Sequence, residues 1–480
     1  MIKKHPLIKA LFLLLLLAIG ACKKEQFTTD GSDKLEFSDA KILFDTVFVS
    51  IGSVTKNFRV YNNNNQAIRT NIHLAGSSAN FRINVNGLPG RNFNDVEIRA
   101  NDSIWVFVEV TVDPNNSQSL PFILSDSIVF ETNGNVQDVK LAAWGQNAHF
   151  IVADHFVHGL PPFAIVTNYD WDSILPYVIY GGFAVVDTLN LTIHEGTKIH
   201  FGNGAGLWIY QGGGLKVKGS KDHPVVFQGM RRESSFADEP GQWDRIWIND
   251  GKDNEIDYAI IKNGFIGLQT EVILSTPSPT KHLTVTNTII KNMAGFGILS
   301  RNFVIDGYNN VIANCGLYCA AFTIGGSYDF TNCTFANYWK LNQRSTPVMY
   351  LNNFYTDNSG NNVANNNTAL TNTSFKNCII YGTNDNELEL DIKTDTLSDH
   401  QFKNCIIRTD SNTPTTDLAH FTSIHNVDPG FNDSGANDYN LTGQGNNFGD
   451  SSFVVGGIAF DILHNPRPTT SAPDAGAYEK

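Results

Sequence analysis

The chain has 480 residues, with 47 acidic against 34 basic side chains and a formal net charge of −13. That balance argues against a nucleic-acid binder, which needs a basic surface to meet phosphates, and it disfavours a polyanionic glycan unless a cation or a local basic patch mediates. Phe, Ile, Val, Asn and Gly are frequent and no convincing amphipathic helical window occurs, so the composition is all-β.

In chain order, residues 1–21 read as a targeting segment: Lys3, Lys4 and Lys9 precede an apolar run from Leu11 to Ile19 that is too short to cross a bilayer comfortably. Ile19-Gly20-Ala21-Cys22 resembles a bacterial lipobox. The resemblance implies cleavage before Cys22 and lipidation of its thiol with several acyl chains, since one chain holds only weakly. A membrane is then the first expected partner, and the expected location is the bacterial cell envelope, as an outer-membrane lipoprotein open to surface display. Residues 22–34 are polar and read as a tether.

Residues 35–148 carry alternating strands closed by turn signals. Thr55–Asn62, Phe81–Val85 before Asn86-Gly87, Ser103–Val110 before Asp113-Pro114, and Ser127–Glu131 and Val136–Leu141 around Asn133-Gly134 predict a β-sandwich of about seven short strands. The order of Phe58-Arg59-Val60-Tyr61-Asn62, Phe81-Arg82-Ile83, Asp113-Pro114 and Val139-Lys140-Leu141-Ala142-Ala143-Trp144-Gly145 resembles bacterial immunoglobulin-like domains of the abnormal-spindle/hydin type. That resemblance implies a spacer or interaction module.

Residues 150–480 are organised by repetition. Phe375-Lys376-Asn377-Cys378-Ile379-Ile380 returns as Phe402-Lys403-Asn404-Cys405-Ile406-Ile407, with looser copies at 256–263, 285–292 and 330–337. The central Asn positions 287, 310, 332, 377 and 404 are separated by 23, 22, 45 and 27 residues. A period in the low twenties made of short β segments predicts a solenoid of parallel rungs. The doubled gap predicts one unmarked coil near Pro347–Leu351. Leu189–Phe201, with its Glu195-Gly196-Thr197 bend, Gly213–Gly219, Pro224–Phe227 and Gln242–Ile248 resemble the opening rungs of right-handed parallel β-helix repeat proteins. Pro473-Asp474-Ala475-Gly476-Ala477-Tyr478-Glu479 resembles the phrase that ends such helices in bacterial surface proteins. The fold class expected for the whole chain is therefore all-β, an immunoglobulin-like sandwich followed by a right-handed parallel β-helix.

Cys315, Cys319, Cys333, Cys378 and Cys405 form no CxxC pair, and three of them share one register of the repeat. They read as small buried hydrophobes, with a Cys378–Cys405 bridge between rungs left open.

Two stretches break the repeat and are the candidate sites. In Asp385-Asn386-Glu387-Leu388-Glu389-Leu390-Asp391-Ile392, a strand period of two places Glu387, Glu389 and Asp391 on one face. Three aligned carboxylates suit a glycan or a hard cation, and His400 and Arg408 lie one rung away. The loop from Arg231 and Arg232 to Pro240, leading into Trp243, Asp244 and Arg245, places charge and aromatic surface at a lip. Trp208, Tyr210, Trp247, Trp339 and Tyr350 are further stacking surfaces.

Parallel β-helices host polysaccharide lyases and glycoside hydrolases, the former using carboxylate-bound Ca2+ and a basic residue. Their signature motifs are absent here, and a fold does not fix a reaction. The leading expectation is a non-catalytic, lipid-anchored protein that binds glycan or another surface ligand or protein, with no cofactor. The alternatives are a lyase-like enzyme acting on an acidic polysaccharide, with Ca2+, and a purely structural or adhesive role.

Overall fold

The computed structural model describes residues 25–48, 52–77, 79–112, 122–272, 282–393, 397–411, 413, 415–443, 445–454 and 458–480. The targeting segment, Cys22 and Asp113-Pro114 lie outside the described residues. The protein is all-β: among the described residues every regular element is a strand apart from short 3-10 turns. Two compact units divide at 147/148.

In the first unit, alternation sets two five-stranded sheets whose apolar faces meet. One contains Lys56–Asn62, Phe81–Val85 and Asp102–Val110; the other contains Lys41–Phe48, Ile68–Leu74, Phe122–Thr132 and Asn135–Gln146. Phe58 reaches Phe130 across the gap at 6.4 Å between ring centroids, and Phe44 reaches Phe81 at 6.2 Å. Asn133 and Gly134 have φ of 50° and 80°, and Asn86 and Gly87 have 51° and 90°. Both central residues being left-handed is what a two-residue type I′ hairpin requires, and Asn and Gly reach that region most easily.

The second unit is solenoid-like. Its strands build one ten-stranded and one seventeen-stranded sheet, and every registered pairing within them is parallel. Each coil contributes three strands. Asn190–His194, Lys198–Phe201 and Gly206–Tyr210 are followed by Gly214–Lys218, Val225–Gly229 and Trp243–Asn249, each paired with its predecessor. The middle strands form the ten-stranded sheet. The first and third series join because Phe296–Tyr308 and Ala320–Thr331 run on from one side into the next.

Period-two alternation sends one set of side chains inward, and parallel register stacks that set into columns. Phe330, Phe375, Phe402 and Phe421 occupy one column, with ring centroids 5.7, 4.9 and 5.3 Å apart and ring planes within 13° of parallel. The corner after the first strand falls on Asn287, Asn309, Asn332, Asn377 and Asn404, all with φ between 50° and 54°. Asparagine tolerates that region where most residues do not. The amides also stack: Asn309 Nδ2 donates to Asn287 Oδ1 at 3.1 Å, and the Asn332 and Asn377 amides lie 3.2 Å apart. The corner residue of the second copy is therefore Asn309 rather than Asn310. Asn310 instead uses its amide to tie Val285 O (2.7 Å) and Thr288 N (3.0 Å).

No extra coil hides in the 45-residue gap. Thr334 pairs directly with Ile379, and Phe330 with Phe375. The stretch is one enlarged rung, whose third strand is Met349–Asn352. Residues 338–348 and 353–369 are insertions between its strands, the second carrying a small hairpin, Tyr355–Thr356 with Asn362–Val363. The five cysteines are free and buried, so no Cys378–Cys405 bridge forms; Cys405 Sγ instead accepts from Cys378 N at 3.4 Å. Lys376 and Lys403 are register partners, and Lys376 is neutralised by Asp329 at 2.8 Å.

The described residues between 430 and 480 form a strap over the outward face of the ten-stranded sheet. Tyr439, Ile462, Ala477 and Tyr478 cover Val311, Ala313 and Ala336, while Leu441 and Ala475 cover Ile379 and Ile406. Arg467 ties the strap together through Glu479 Oε2 (3.0 Å) and Gly476 O (2.9 Å) and fastens it to the corner ladder by donating to Asn309 Oδ1 (3.2 Å). Burial pushes the Glu479 carboxyl up to about 7, with the nearby Asp474 charge adding to it. The folded value lies above the ordinary 4.5, so this group's contribution to stability is complete below pH 4.5 and is lost as pH rises through 7. Thermal midpoints measured from pH 4.5 to 8 should fall more for the native chain than for Glu479→Gln; parallel profiles would refute this. Removing one ring of the Phe column, Phe375→Ala, should cost about 3–5 kcal/mol in a denaturant titration.

Candidate functional site

The third series of strands presents a continuous outward face. Leu207, Ile209, Ile246, Ile248 and Leu268 point into the core. The intervening residues form an outer column in strict register: Val185, Trp208, Trp247, Gln269, Leu299, Ala321, Tyr350 and Glu389. At about 4.8 Å per rung, Trp208 and Glu389 are about 29 Å apart along the axis.

One end of this track is aromatic. Trp208 and Trp247 stack at 4.6 Å and 10°, with Phe183 and Tyr210 packed edge-on to Trp208 at 6.4 and 5.3 Å. A second aromatic group, Phe296, Tyr318 and Tyr350, lies further along with centroid separations of 5.8 and 5.7 Å. Between them sits a polar hub on Glu271. Its Oε1 accepts from Trp247 Nε1 (2.8 Å) and Asn249 Nδ2 (2.9 Å), and its Oε2 accepts from Gln269 Nε2 and Arg301 Nη1 (both 3.2 Å). Arg245 extends the hub by donating to Gln269 and to Asp244 Oδ1 (2.8 Å). These bonds fix the Trp247 ring in place, as a stacking platform requires.

The structure splits the acidic strand. Glu389 and Asp391 do lie on the outer track, next to Tyr350 and Asn352 in register. Tyr350 donates its hydroxyl to Asp391 Oδ2 at 3.3 Å, and Lys393 Nζ lies 2.6 Å from Oδ1. Burial, then the Asp391 charge, raises the Glu389 carboxyl above its ordinary range. Glu387 does not join them. The strand begins at Leu388, so alternation does not govern Glu387. It turns inward to meet Arg344 in a fork of 2.5 and 2.8 Å, the two side chains being 0% and 1% exposed. Val348 N (2.9 Å) and Asn384 N (2.8 Å) complete its bonding. Burial raises its carboxyl, with Arg344 pulling the other way. It is a structural pair that anchors the enlarged rung.

His400 and Arg408 stay away from the acidic pair. His400 is buried against His420 at 4.0 Å, and Arg408 bonds Gly382 O at 2.8 Å. Three aligned carboxylates therefore do not exist, and these residues do not fit a Ca2+ site. Among the described residues, no group of three or more His, Cys, Asp or Glu side chains converges as metal ligands.

The second candidate set separates three ways. Trp243 is core: it is 1% exposed, stacks on Phe201 at 4.4 Å and donates Nε1 to Lys262 O at 2.8 Å. Asp244 and Arg245 lie on the outer track. Arg231 covers the Phe236 ring at 3.6 Å within its own loop, while Arg232 faces the ten-stranded sheet. Trp339 bonds Asn342 Oδ1 (2.8 Å) and is not part of the track. Sequence reasoning missed Gln269, Glu271 and Arg301. Their signal is register: each falls opposite a track residue only once the rungs are aligned.

No family model and no curated protein matches the chain. Solved structures with partial likeness include a family 123 glycoside hydrolase from Clostridium perfringens (9% identity, 25% of this chain and 30% of that one, TM-score 0.19). Others are a protein of unknown function from Porphyromonas gingivalis W83 (12%, 31% and 58%, TM-score 0.19) and a PapD-like domain of human CEP192 (10%, 31% and 99%, TM-score 0.19). The chain thus spans less than two thirds of the first two, and at these scores the likenesses carry no argument.

Removing one partner of the buried pair leaves the other charge stranded, so Glu387→Gln should cost about 3–5 kcal/mol. Glu389→Gln, on the solvated track, should stay within about 0.5 kcal/mol. Urea titrations of the two variants check both, and equal costs would contradict the assignment.

Proposed function

We propose that the chain is a lipid-anchored protein of the bacterial cell envelope that binds an extended glycan along the outer track of a right-handed parallel β-helix, with an immunoglobulin-like sandwich as spacer. The lipobox-like Gly20-Ala21-Cys22 supports the anchor. The strict parallel register and the closing Asp474-Ala475-Gly476-Ala477-Tyr478-Glu479 phrase support the helix. The two facing sheets of the first unit support the sandwich.

The observation that carries the binding reading is the Trp208–Trp247 stack held by Glu271 and followed along one axis by Tyr318 and Tyr350. Trp208, 6% exposed, is the packed support of the stack, while Trp247, Tyr318 and Tyr350 are half-buried and, with amide, carboxylate and guanidinium groups between them, offer apolar surface to sugar rings and hydrogen bonds to their hydroxyls. A track about 29 Å long favours a polymer over a single sugar.

Affinity electrophoresis against a panel of neutral and acidic polysaccharides tests this. At least one should retard the native chain, and Trp247→Ala should weaken that retardation about tenfold, some 1.4 kcal/mol. Absence of retardation across the panel, or a Trp247→Ala variant that behaves as the native chain does, sinks the reading.

A further inference from the structure

The ten-stranded sheet carries a second concavity where the C-terminal strap stops short. It is a groove of about 380 Å³. Its floor is one register column, Val226, Ile260, Ile289 and Val311, on four successive rungs. One bank is cationic. Lys198 opens the floor column, Lys262 and Lys291 are register partners on adjacent rungs, and Arg232 comes in from the loop before Trp243. The other bank is Asn437, Tyr439 and Tyr478 of the strap.

No Asp or Glu is among the residues lining the groove, although the whole chain carries −13. The Lys291 ammonium has a distant counter-ion in Asp238 at 3.8 Å, which is itself 61% exposed. Lys262 Nζ is held by Ala237 O at 3.0 Å. Like charges directly opposite on neighbouring strands are destabilising, and burial together with the Lys291 charge lowers the Lys262 amine, against the pull of Asp238. Behind them, burial and then the Arg232 charge push the His200 imidazole down to about 3, so it adds no positive charge near neutrality. A row of cations is thus kept at a half-buried spot that an alternating sequence could have filled with neutral residues.

We propose that this groove is a binding site for an anionic sugar unit of an acidic polysaccharide, separate from the aromatic track. Volume, floor and charge each narrow the ligand. A groove of this size falls within the range that encloses an organic molecule rather than a bare ion. The aliphatic floor and tyrosine bank suit the apolar face of a ring. Lysines one rung apart, along the solenoid axis, match negative charges repeated along a polymer. Ammonium groups act as point charges without a bidentate geometry, so carboxylated and sulfated sugars share the required chemistry. The net negative charge of the chain makes this patch the local basic exception through which an acidic glycan is able to bind.

The test uses the full-length chain in affinity electrophoresis with polygalacturonate, with dextran sulfate and with inorganic polyphosphate, beside the double variant Lys262→Gln/Lys291→Gln. The native chain should be retarded by polygalacturonate or by dextran sulfate, and which one identifies the anionic group. The double variant should lose at least tenfold in that affinity while its thermal midpoint is unchanged or raised, because a like-charge pair has been removed. Undiminished retardation of the double variant overturns the proposal, as does equal retardation by polyphosphate, which has no ring to seat on the floor. Trp247→Ala, on a different face, separates this site from the track: loss of acidic-glycan binding in that variant but not in the lysine variant also overturns the proposal.

Discussion

The constraint on which the second unit depends is register. In a parallel stack each residue lies over its equivalent about 4.8 Å away, so a side chain is chosen against its own column before anything else. The Phe330–Phe375–Phe402–Phe421 column satisfies this with rings that lie nearly parallel. The Asn corner satisfies it with amides that bond along the axis and a backbone that few other residues adopt. Violations are costly and are therefore informative. Lys262 over Lys291 is one, and it lies where the strap leaves the sheet uncovered.

The same rule produces faces of different chemistry. On the third series of strands, outward positions collect indole, phenol, amide and carboxylate side chains into a track. On the ten-stranded sheet, outward positions are aliphatic under the strap, and where it stops short an aliphatic floor is flanked by cations. A single loop, Arg231 to Pro240, serves the second face, and the strand it feeds, Trp243–Asn249, serves both the core and the first. One stretch of sequence with a uniform polar-aromatic character thus contributes to three environments.

Much of this was legible in the sequence, and the limits have physical causes. Alternation and turn chemistry are local, so the strands around Asn86-Gly87 and Asn133-Gly134, the bend at Glu195-Gly196-Thr197 and the corners at Asn287, Asn332, Asn377 and Asn404 could be read directly, whereas in the adjacent pair Asn309-Asn310 spacing puts the corner one residue late. Glu387 could not. Its direction is set by Arg344, 43 residues earlier, and by a strand that begins one residue too late to include it. The 45-residue gap misled for a related reason. Spacing counts residues, whereas stacking counts strands, and an insertion changes only the first. The Glu271 hub and the basic groove stayed hidden because their members are joined across rungs, by register that no single stretch records.

The enlarged rung has a wider consequence. Its middle strand keeps the common register, Thr334 to Ile379 and Ile379 to Ile406, and the two insertions that leave it between consecutive strands are accompanied by one register shift, between Gly326 and Asp329. Closing a longer loop costs free energy that grows only logarithmically with its length. Each corner is therefore a socket: chain can be gained or shed there without re-addressing a single core contact. Variation in such a molecule is cheap at the corners and dear along the columns, so the loops are free to diversify while the stack that carries them stays the same.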